Sequence, residues 1–161
     1  MADLILQALP YARDSSHFLR LLADQPLTVF LDSGLADQKE ARFDIITALP
    51  SSHILIPPDC ANLNPFAAAR RLQAEFELDS HHYDALQHLP FCGGLIGCFG
   101  YSAVHDSVGT KSPPTVSPVA NTLAELPIAA LGIYEWAIIV DHLQATTTLF
   151  ILPQCPHPIR D

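Results

Sequence analysis

Apolar residues at helical spacing predict two helices. An Asp-Ser-Ser sequence that can cap a helix precedes the first, which is predicted over 15–24. The second is predicted to begin at Asn64 and to run to about Leu78, because the proline that follows Asn64 suits the first helical position. The residues expected to face the core are Phe18, Leu19 and Leu22 in the first helix and Phe66, Ala69, Leu72 and Phe76 in the second.

Short runs of apolar and β-branched residues predict the strands. Three such runs lie at 27–31, 42–48 and 52–56. The run 128–140 is almost continuously apolar, which is typical of one strand buried on both faces, and a polar turn leads from it into a hairpin partner at 146–152. Antiparallel hairpins combined with helices predict an α+β fold, with a mostly antiparallel sheet or β-sandwich and covering helices.

The chain length favours one domain, expected over 1–152, since a chain of about 150 residues can bury a sizeable core. Between 102 and 125 the chain is rich in Ser, Pro and Thr and shows no apolar face, so a loop is predicted there. Proline lacks an amide donor and cannot continue a central strand. The proline-rich segment 153–161 is therefore expected to be an irregular tail.

Four of the seven glycines cluster in the apolar run 89–101. Gly93, Gly94, Gly97 and Gly100 fit neither the dinucleotide-binding pattern nor the P-loop pattern, which argues against a phosphate loop. Glycine weakens a strand unless the backbone needs a positive φ or a close approach. The run therefore predicts a strand region with tight backbone packing.

Composition and charge exclude several classes of function. The net charge is −9, and the eight Lys and Arg residues form no basic stripe, so nucleic-acid binding is not expected. Neither a signal sequence nor a bilayer-spanning apolar stretch is visible, so a cytoplasmic protein without a membrane role is expected. The four cysteines form no CxxC pair and are expected to be reduced.

Candidate catalytic and metal-binding groups are few. His81, His82 and His88 suggest a zinc site, but their spacing matches no zinc motif, and a solvated helix end or loop also explains them. The sequence shows no paired-carboxylate magnesium site and no nucleophile elbow. We therefore assign no catalytic residue and no metal ligand to this chain.

Three segments carry the most specific patterns of the chain. They are Phe30-Leu31-Asp32-Ser33-Gly34 with Arg42-Phe43-Asp44-Ile45; Leu89-Pro90-Phe91-x-Gly93-Gly94-x-x-Gly97-x-Phe99-Gly100-Tyr101; and Leu126-Pro127 with Gly132-Ile133-Tyr134-Glu135-Trp136-Ala137-x-x-Val140-Asp141-His142. In order and spacing they resemble the N-terminal portion of component I of aminodeoxychorismate synthase, a relative of anthranilate synthase component I. The resemblance makes the four glycines, Tyr101, Tyr134 and Trp136 structural markers of this family's fold.

The resemblance implies a role in para-aminobenzoate and folate biosynthesis. Proteins of this family bind chorismate and magnesium in a C-terminal portion and add ammonia that a glutamine amidotransferase, component II, supplies. We expect this chain to lack that portion, to be inactive alone, and to pair with both the C-terminal portion and component II. The Ser-Gly and Arg-Phe-Asp sequences favour the para-aminobenzoate branch over the anthranilate branch.

The resemblance also implies a tryptophan-type pocket, at positions that match Leu31, Ser33, Arg42 and Phe43. A Ser hydroxyl can meet the charged groups of an amino acid, while Leu and Phe can pack an indole. A surface or structural role for the arginine and a turn role for the serine are the alternatives. Because Glu40 departs from the aromatic residue of some relatives, we expect this chain alone to bind tryptophan weakly or not at all.

Other interpretations remain open from the sequence. The chain could be a stand-alone amino-acid-binding regulator, the same domain of an anthranilate synthase component I, or a structural module that self-associates. An N-terminal domain separated from the rest of its protein would expose unpaired strand edges, which invite association. We therefore expect a dimer or a larger species.

Overall fold

The computed structural model describes residues 3–34, 41–58, 60, 63–100, 103 and 126–156. Within these ranges the chain folds into eight strands and three helices, and its strands form two sheets. The strands are β1 (Ile5–Leu9), β2 (Val29–Leu31), β3 (Phe43–Thr47), β4 (Ser52–Ile56), β5 (Gly94–Phe99), β6 (Ala129–Tyr134), β7 (Trp136–Asp141) and β8 (Thr146–Ile151). The helices are α1 (Ser16–Leu22), α2 (Pro65–Ala74) and α3 (Ser80–Leu86). The predicted α+β class with mostly antiparallel sheets is confirmed; the sandwich arrangement stays a prediction.

The larger sheet has five strands in the order β1-β8-β7-β3-β2, and every neighbouring pair in it is antiparallel. Register pairs Leu31 with Ile45 and Phe43 with Asp141. Because neighbours run in opposite directions, the last residues of β1, β2 and β7 and the first residues of β3 and β8 lie at the same end of this sheet. The predicted hairpin of β7 and β8 is present.

The five-stranded sheet belongs to the first of two compact units, which contains Met1–Ser51, Glu77–Gly94 and Tyr134–Asp161. Its core packs Phe18 from α1 against Ile46, Trp136 and Val140 of the sheet. The indole Nε1 of Trp136 donates to the carbonyl oxygen of Ala48 at 2.8 Å, so this ring is buried with its one donor satisfied.

The second compact unit contains Ser52–Phe76 and Leu95–Ile133. Its three-stranded sheet has the order β4-β6-β5, and α2 packs Leu72 into its core beside Ile56 and Ile128. The side chain of Asn64 caps α2 by accepting from the amide of Ala67 at 2.9 Å, as expected for Asn before Pro.

The prediction of one continuous strand over 128–140 is wrong. The run forms β6 in the three-stranded sheet and β7 in the five-stranded sheet, with Glu135 between them. The carbonyl oxygen of Glu135 accepts from the amide of Leu152 at 2.8 Å, and β6 and β7 are almost entirely buried. An apolar run that is buried on both sides of a break shows no change of period at the break, so its pattern does not reveal two strands.

Helix boundaries and two short elements also differ from expectation. Helix α2 ends at Ala74 rather than near 78, because the amides of Glu75 and Phe76 turn back to carbonyls three residues earlier. Strand β1 and helix α3 were not predicted, since β1 is mostly exposed and only Leu86 of α3 is buried. With so few buried positions, the hydrophobic pattern of each segment cannot be distinguished from that of a loop.

Some predictions fall outside the described residues. Apart from Ala103, the predicted loop at 102–125 lies there, as do Glu40, Tyr101 and the last five residues of the predicted tail. In the part of the chain that the structure describes, none of the helices has the length and apolar character that crossing a membrane requires.

Candidate functional site

The four residues predicted for a ligand pocket come together at one end of the five-stranded sheet. Leu31 is the last residue of β2, and Ser33 lies two residues after it, outside the strand. Arg42 and Phe43 stand at the beginning of β3, next to β2. The guanidinium carbon of Arg42 lies 4.3 Å from the centre of the Phe43 ring. Leu31 is 46% exposed, so it offers apolar surface at this end of the sheet.

The carboxylate of Asp44 is the hub of this end of the sheet. Its Oδ1 accepts from the Ser33 amide at 2.8 Å and from the Ser33 hydroxyl at 2.9 Å. Its Oδ2 accepts from the Ser15 hydroxyl at 2.5 Å and is bonded to Nε2 of His142 at 2.8 Å. Burial by itself raises the pKa of this carboxyl, but the hydrogen bonds from Ser15, Ser33 and His142 outweigh burial and keep the pKa below its usual value.

The imidazole of His142 is held from several sides. Its side chain is 3% exposed, and that of Asp44 is 4% exposed, so the pair is buried. The other ring nitrogen, Nδ1, lies 3.3 Å from the hydroxyl of Tyr11. When Nε2 carries the hydrogen that bonds Asp44, a neutral ring accepts from Tyr11 at Nδ1. The backbone amide of His142 donates to the carbonyl oxygen of Arg42 at 2.8 Å.

This cluster is not a catalytic triad. Ser15 and His142 both bind the same oxygen of Asp44, whereas a serine nucleophile needs a direct hydrogen bond to its histidine base. The cluster therefore offers no activated nucleophile. Its geometry suits a fixed polar framework.

A second acid–base pair lies beside the first. The guanidinium of Arg42 donates to Asp141 from Nε, at 3.2 Å to each oxygen, and from Nη2 at 2.8 Å. Asp141 also accepts from the amides of Leu143 and Gln144 and so caps the turn between β7 and β8. Burial raises the pKa of Asp141, but Arg42 and the two amides outweigh burial and lower it. The hydrogen bond to Asp141 raises the pKa of Arg42.

These contacts decide what the pocket candidates can offer a ligand. Since the Ser33 hydroxyl gives its hydrogen to Asp44, its oxygen can act toward a ligand only as an acceptor. Asp141 takes the Nε hydrogen and one of the two Nη2 hydrogens of Arg42, so a ligand carboxylate would have to be met by Nη1 and the second Nη2 hydrogen. An acceptor, a cation and the apolar surfaces of Leu31 and Phe43 suit a zwitterion with an apolar side chain.

Sequence reasoning found Ser33 and Arg42 but missed the residues that hold them. Asp44, Asp141 and His142 lie in the quoted motifs, and their polarity at strand ends was the available signal. Ser15 was interpreted only as part of a helix cap, and nothing near Tyr11 marked that residue. These partners are distant in sequence, so their contacts depend on strand register.

Other predicted residues lie elsewhere. Gly93 and Gly94 have φ values of 95° and 118°. A Cβ at Gly97 or Gly100 would meet backbone atoms of the chain at 2.1 Å and 2.8 Å. The hydroxyl of Tyr134 donates to the carbonyl oxygen of Leu27 at 2.8 Å, and burial raises its pKa to about 12.

The histidine-rich segment lies in and after α3 and shows no metal-binding geometry. The rings of His81 and His82 are 6.1 Å apart and tilted. Among the described residues, no three His, Cys, Asp or Glu side chains come close enough together to hold a metal ion.

Comparisons with known proteins give the chain's relatives. No family model matches it. Aminodeoxychorismate synthase component 1 of Klebsiella aerogenes is 31% identical over 155 residues, which are 89% of this chain and 32% of the relative. The proteins of the same name from Salmonella typhimurium and Escherichia coli are 30% and 28% identical, over 88% and 86% of this chain and 32% and 31% of each relative.

A more distant relative is the chloroplastic anthranilate synthase alpha subunit 2 of Arabidopsis thaliana, 24% identical over 75% of this chain and 21% of the relative. The resemblance that the motifs predict is thus confirmed. The chain spans about a third of the length of the aminodeoxychorismate synthase proteins that it matches.

Proposed function

We propose that this chain is the non-catalytic N-terminal domain of an aminodeoxychorismate synthase component 1, in the para-aminobenzoate branch of folate biosynthesis. The observation that carries the proposal is similarity to three proteins of that name over 86–89% of the chain. The lower identity to an anthranilate synthase subunit favours the para-aminobenzoate branch. The full protein would add an amino group to chorismate, with ammonia from a glutamine amidotransferase, component II.

The chemistry of that reaction is assigned to the rest of the full protein. Magnesium would bind there as well, as the family resemblance implies. The buried cluster around Asp44 contains no nucleophile bonded to a base. A shaping or ligand-binding role fits this chain better than catalysis.

An activity assay tests the domain assignment. The chain alone, given chorismate, ammonia and magnesium, is expected to form no aminodeoxychorismate, whereas the full protein that contains it is expected to do so. The control is the full protein without magnesium, which sets the background rate. Measurable turnover by the chain alone would refute the assignment.

We further propose that Leu31, Ser33, Arg42 and Phe43 form part of an amino-acid pocket of the tryptophan type. Their position at one end of one sheet supports the proposal, as does the acceptor character of the Ser33 oxygen. An ammonium group would meet that oxygen, and a carboxylate would meet Arg42.

Calorimetry with L-tryptophan tests the pocket. The chain alone is expected to bind weakly or not at all, since the full protein would close part of the pocket, and low-micromolar affinity would contradict that expectation. In the full protein, Ser33→Ala is expected to weaken binding about tenfold, the worth of one hydrogen bond to a charged group. Asp84→Asn, at an exposed position of α3, is the matched control.

A stand-alone amino-acid-binding regulator is the second candidate, because all four pocket candidates come from this chain. The reading frame after residue 161 distinguishes the two. A frame that continues into a chorismate-binding region supports the domain assignment, and a natural stop codon supports the regulator.

A further inference from the structure

We propose that Asp44 is the positioning residue of the candidate ligand site, and that the side chains of Ser15 and His142 act on Ser33 through its carboxylate. This inference rests on the proposed pocket and adds residues that contact no ligand in that proposal. In this proposal the buried polar cluster holds the Ser33 side chain in the orientation that ligand binding needs.

The first argument is the double contact between Asp44 and Ser33. One carboxylate oxygen accepts from both the amide and the hydroxyl of Ser33, at 2.8 and 2.9 Å. Two bonds to one oxygen fix the backbone and the side-chain rotamer of Ser33 together. They also set the direction of the hydroxyl hydrogen, and therefore the direction in which the Ser33 lone pairs face.

The second argument is that the other oxygen of Asp44 is held just as firmly. Ser15 at the start of α1 and His142 in the turn after β7 both bind Oδ2, and the backbone amide of His142 is fixed by Arg42. The carboxylate therefore joins three separate segments to β3. With side-chain exposures of 3% and 4% for the His142–Asp44 pair, water cannot easily replace a lost partner, so removing one is costly.

The other charged groups near Asp44 are engaged in contacts of their own, and His142 is the ionisable side chain that binds it. Arg42 is bound to Asp141. The carboxylates nearest in sequence to the cluster serve local turns, since Asp14 accepts from the amide of Ser16 and Asp32 from the amide of Gly34. A change at Ser15 or His142 consequently reaches Ser33 through the Asp44 carboxylate.

Backbone NMR of the ¹⁵N-labelled chain tests the tether without any ligand. Asp44→Asn keeps the size of the side chain but removes its charge and one acceptor. The Ser33 amide proton is expected to move upfield, and its exchange with solvent to accelerate about tenfold. Asp84→Asn should change neither. An unchanged Ser33 amide in Asp44→Asn would overturn the proposal.

Ser15→Ala provides a gentler change if Asp44→Asn does not fold. It removes one donor to Asp44 and no group that would touch a ligand, and it should move the Ser33 amide in the same direction by a smaller amount. An unmoved Ser33 amide in this folded variant would equally overturn the tether.

Calorimetry of the full protein with L-tryptophan tests the link to binding, because the chain alone is expected to bind weakly or not at all. Ser33→Ala is expected to raise Kd about tenfold and Ser15→Ala about threefold, and the double variant should bind as Ser33→Ala does, because Ser15 acts through Ser33. Independent, additive losses would overturn the proposal. If the unaltered chain and the full protein both fail to bind tryptophan, the proposed pocket and the ligand role of Asp44 are refuted together, while the Ser33 amide still shows whether the tether exists.

Discussion

Two acid–base pairs lie side by side at the end of the five-stranded sheet, and their surroundings give them different roles. The Asp44–His142 pair is buried, and removing its charges from water costs free energy that offsets their attraction. The pair therefore stabilises the fold mainly through its hydrogen bonds. The Arg42 side chain is 39% exposed, and solvent weakens its attraction to Asp141. Asp141 also accepts from the amides of Leu143 and Gln144 in the turn that it caps.

Asp141→Asn is expected to lower the free energy of unfolding at neutral pH by about 1–2 kcal/mol, because the amide caps the turn less well than the carboxylate. Urea denaturation measures this change. Asp84→Asn removes the same charge from an exposed helix position and should cost much less. Equal losses in the two variants would show that the contacts of Asp141 do not matter.

The same variant has a pH dependence whose sign follows from the lowered pKa of Asp141. A carboxyl with a folded-state pKa below its unfolded value contributes stability above the unfolded pKa and loses it as pH falls through the folded pKa. The difference in unfolding free energy between the unaltered chain and Asp141→Asn should therefore shrink below about pH 4. A difference that stays constant from about pH 6 to about pH 3 would contradict this linkage.

The site could be predicted from the sequence only in part. Ser33 and Arg42 were found through a family resemblance, while Asp44 and His142 were quoted in its motifs without a role. Asp44 and His142 are 98 positions apart, and Tyr11 and His142 are 131 apart. Contacts of this kind follow from which strands pair and in which register, and residue spacing does not contain that information.

At the scale of the elements, the glycine run shows two different uses of glycine. Gly93 and Gly94 precede or begin β5 with positive φ values, which side chains rarely adopt. Gly97 lies inside β5, where a Cβ would come within 2.1 Å of the carbonyl oxygen of Ala130 and 2.7 Å of the Cα of Leu131. Since those atoms belong to the backbone of β6, a side chain at 97 would force two strands apart.

Gly97→Ala is therefore expected to destabilise the chain by about 3 kcal/mol or to prevent folding. Gly34→Ala is a matched comparison, because Gly34 has open space around it and only its φ of 87° is unfavourable. That substitution should cost about 1 kcal/mol. Thermal and urea denaturation of both variants measure the order, and an equal or larger cost at Gly34 would contradict the close approach of β5 and β6.

The link between β6 and β7 carries a buried carboxyl. Glu135 is 9% exposed, Ser51 hydrogen-bonds it, and its Oε2 has no hydrogen-bond partner among the described residues. Burial raises its pKa. A raised folded-state pKa means stability that is present below the unfolded pKa and is lost as pH rises through the folded pKa.

Glu135→Gln is expected to remove that loss, because the amide stays neutral at every pH. The variant should be as stable as the unaltered chain near pH 4 and more stable at neutral pH, with Ser51 still able to donate to the side chain. Urea denaturation at several pH values gives the measurement, and Glu75→Gln, an exposed carboxyl, gives the control. A variant that is less stable at neutral pH would show that the carboxylate has a role the neutral amide cannot fill.

The elements with a distinct pattern were predicted well, and those without one were not. Strand β4 and the start of α2 agree with the sequence, since a proline pair follows the first and Asn-Pro begins the second. The break at Glu135 was missed because a single polar residue in an apolar run has two interpretations. It can be a buried carboxyl within one strand or the point where one strand ends and the next begins, and the pattern is the same in both cases.

At the scale of the whole molecule, low charge leaves apolar side chains on the surface. Charged residues are 16% of the chain, where about a quarter is usual. Among the described residues, β1 and β2 are the edges of one sheet and β4 and β5 are the edges of the other. Leu55 on β4 is 58% exposed, and Phe99 on β5 is 41% exposed. The low charge indicates such surface, but only the strand order and the exposure of each side chain show which residues provide it.

Apolar edge strands with open hydrogen-bonding groups favour pairing between chains. We therefore expect this chain to be larger than its monomer mass of 17.5 kDa, measured by light scattering coupled to size exclusion across a wide concentration range. Leu55→Lys places a charge on the β4 edge and should shift the mass toward the monomer. Leu143→Lys adds the same charge at a position that is 75% exposed in the β7–β8 turn, away from any edge strand, and should leave the mass unchanged. A monomer at every concentration would refute self-association, and an equal shift in both variants would show that net charge, rather than the β4 edge, controls it.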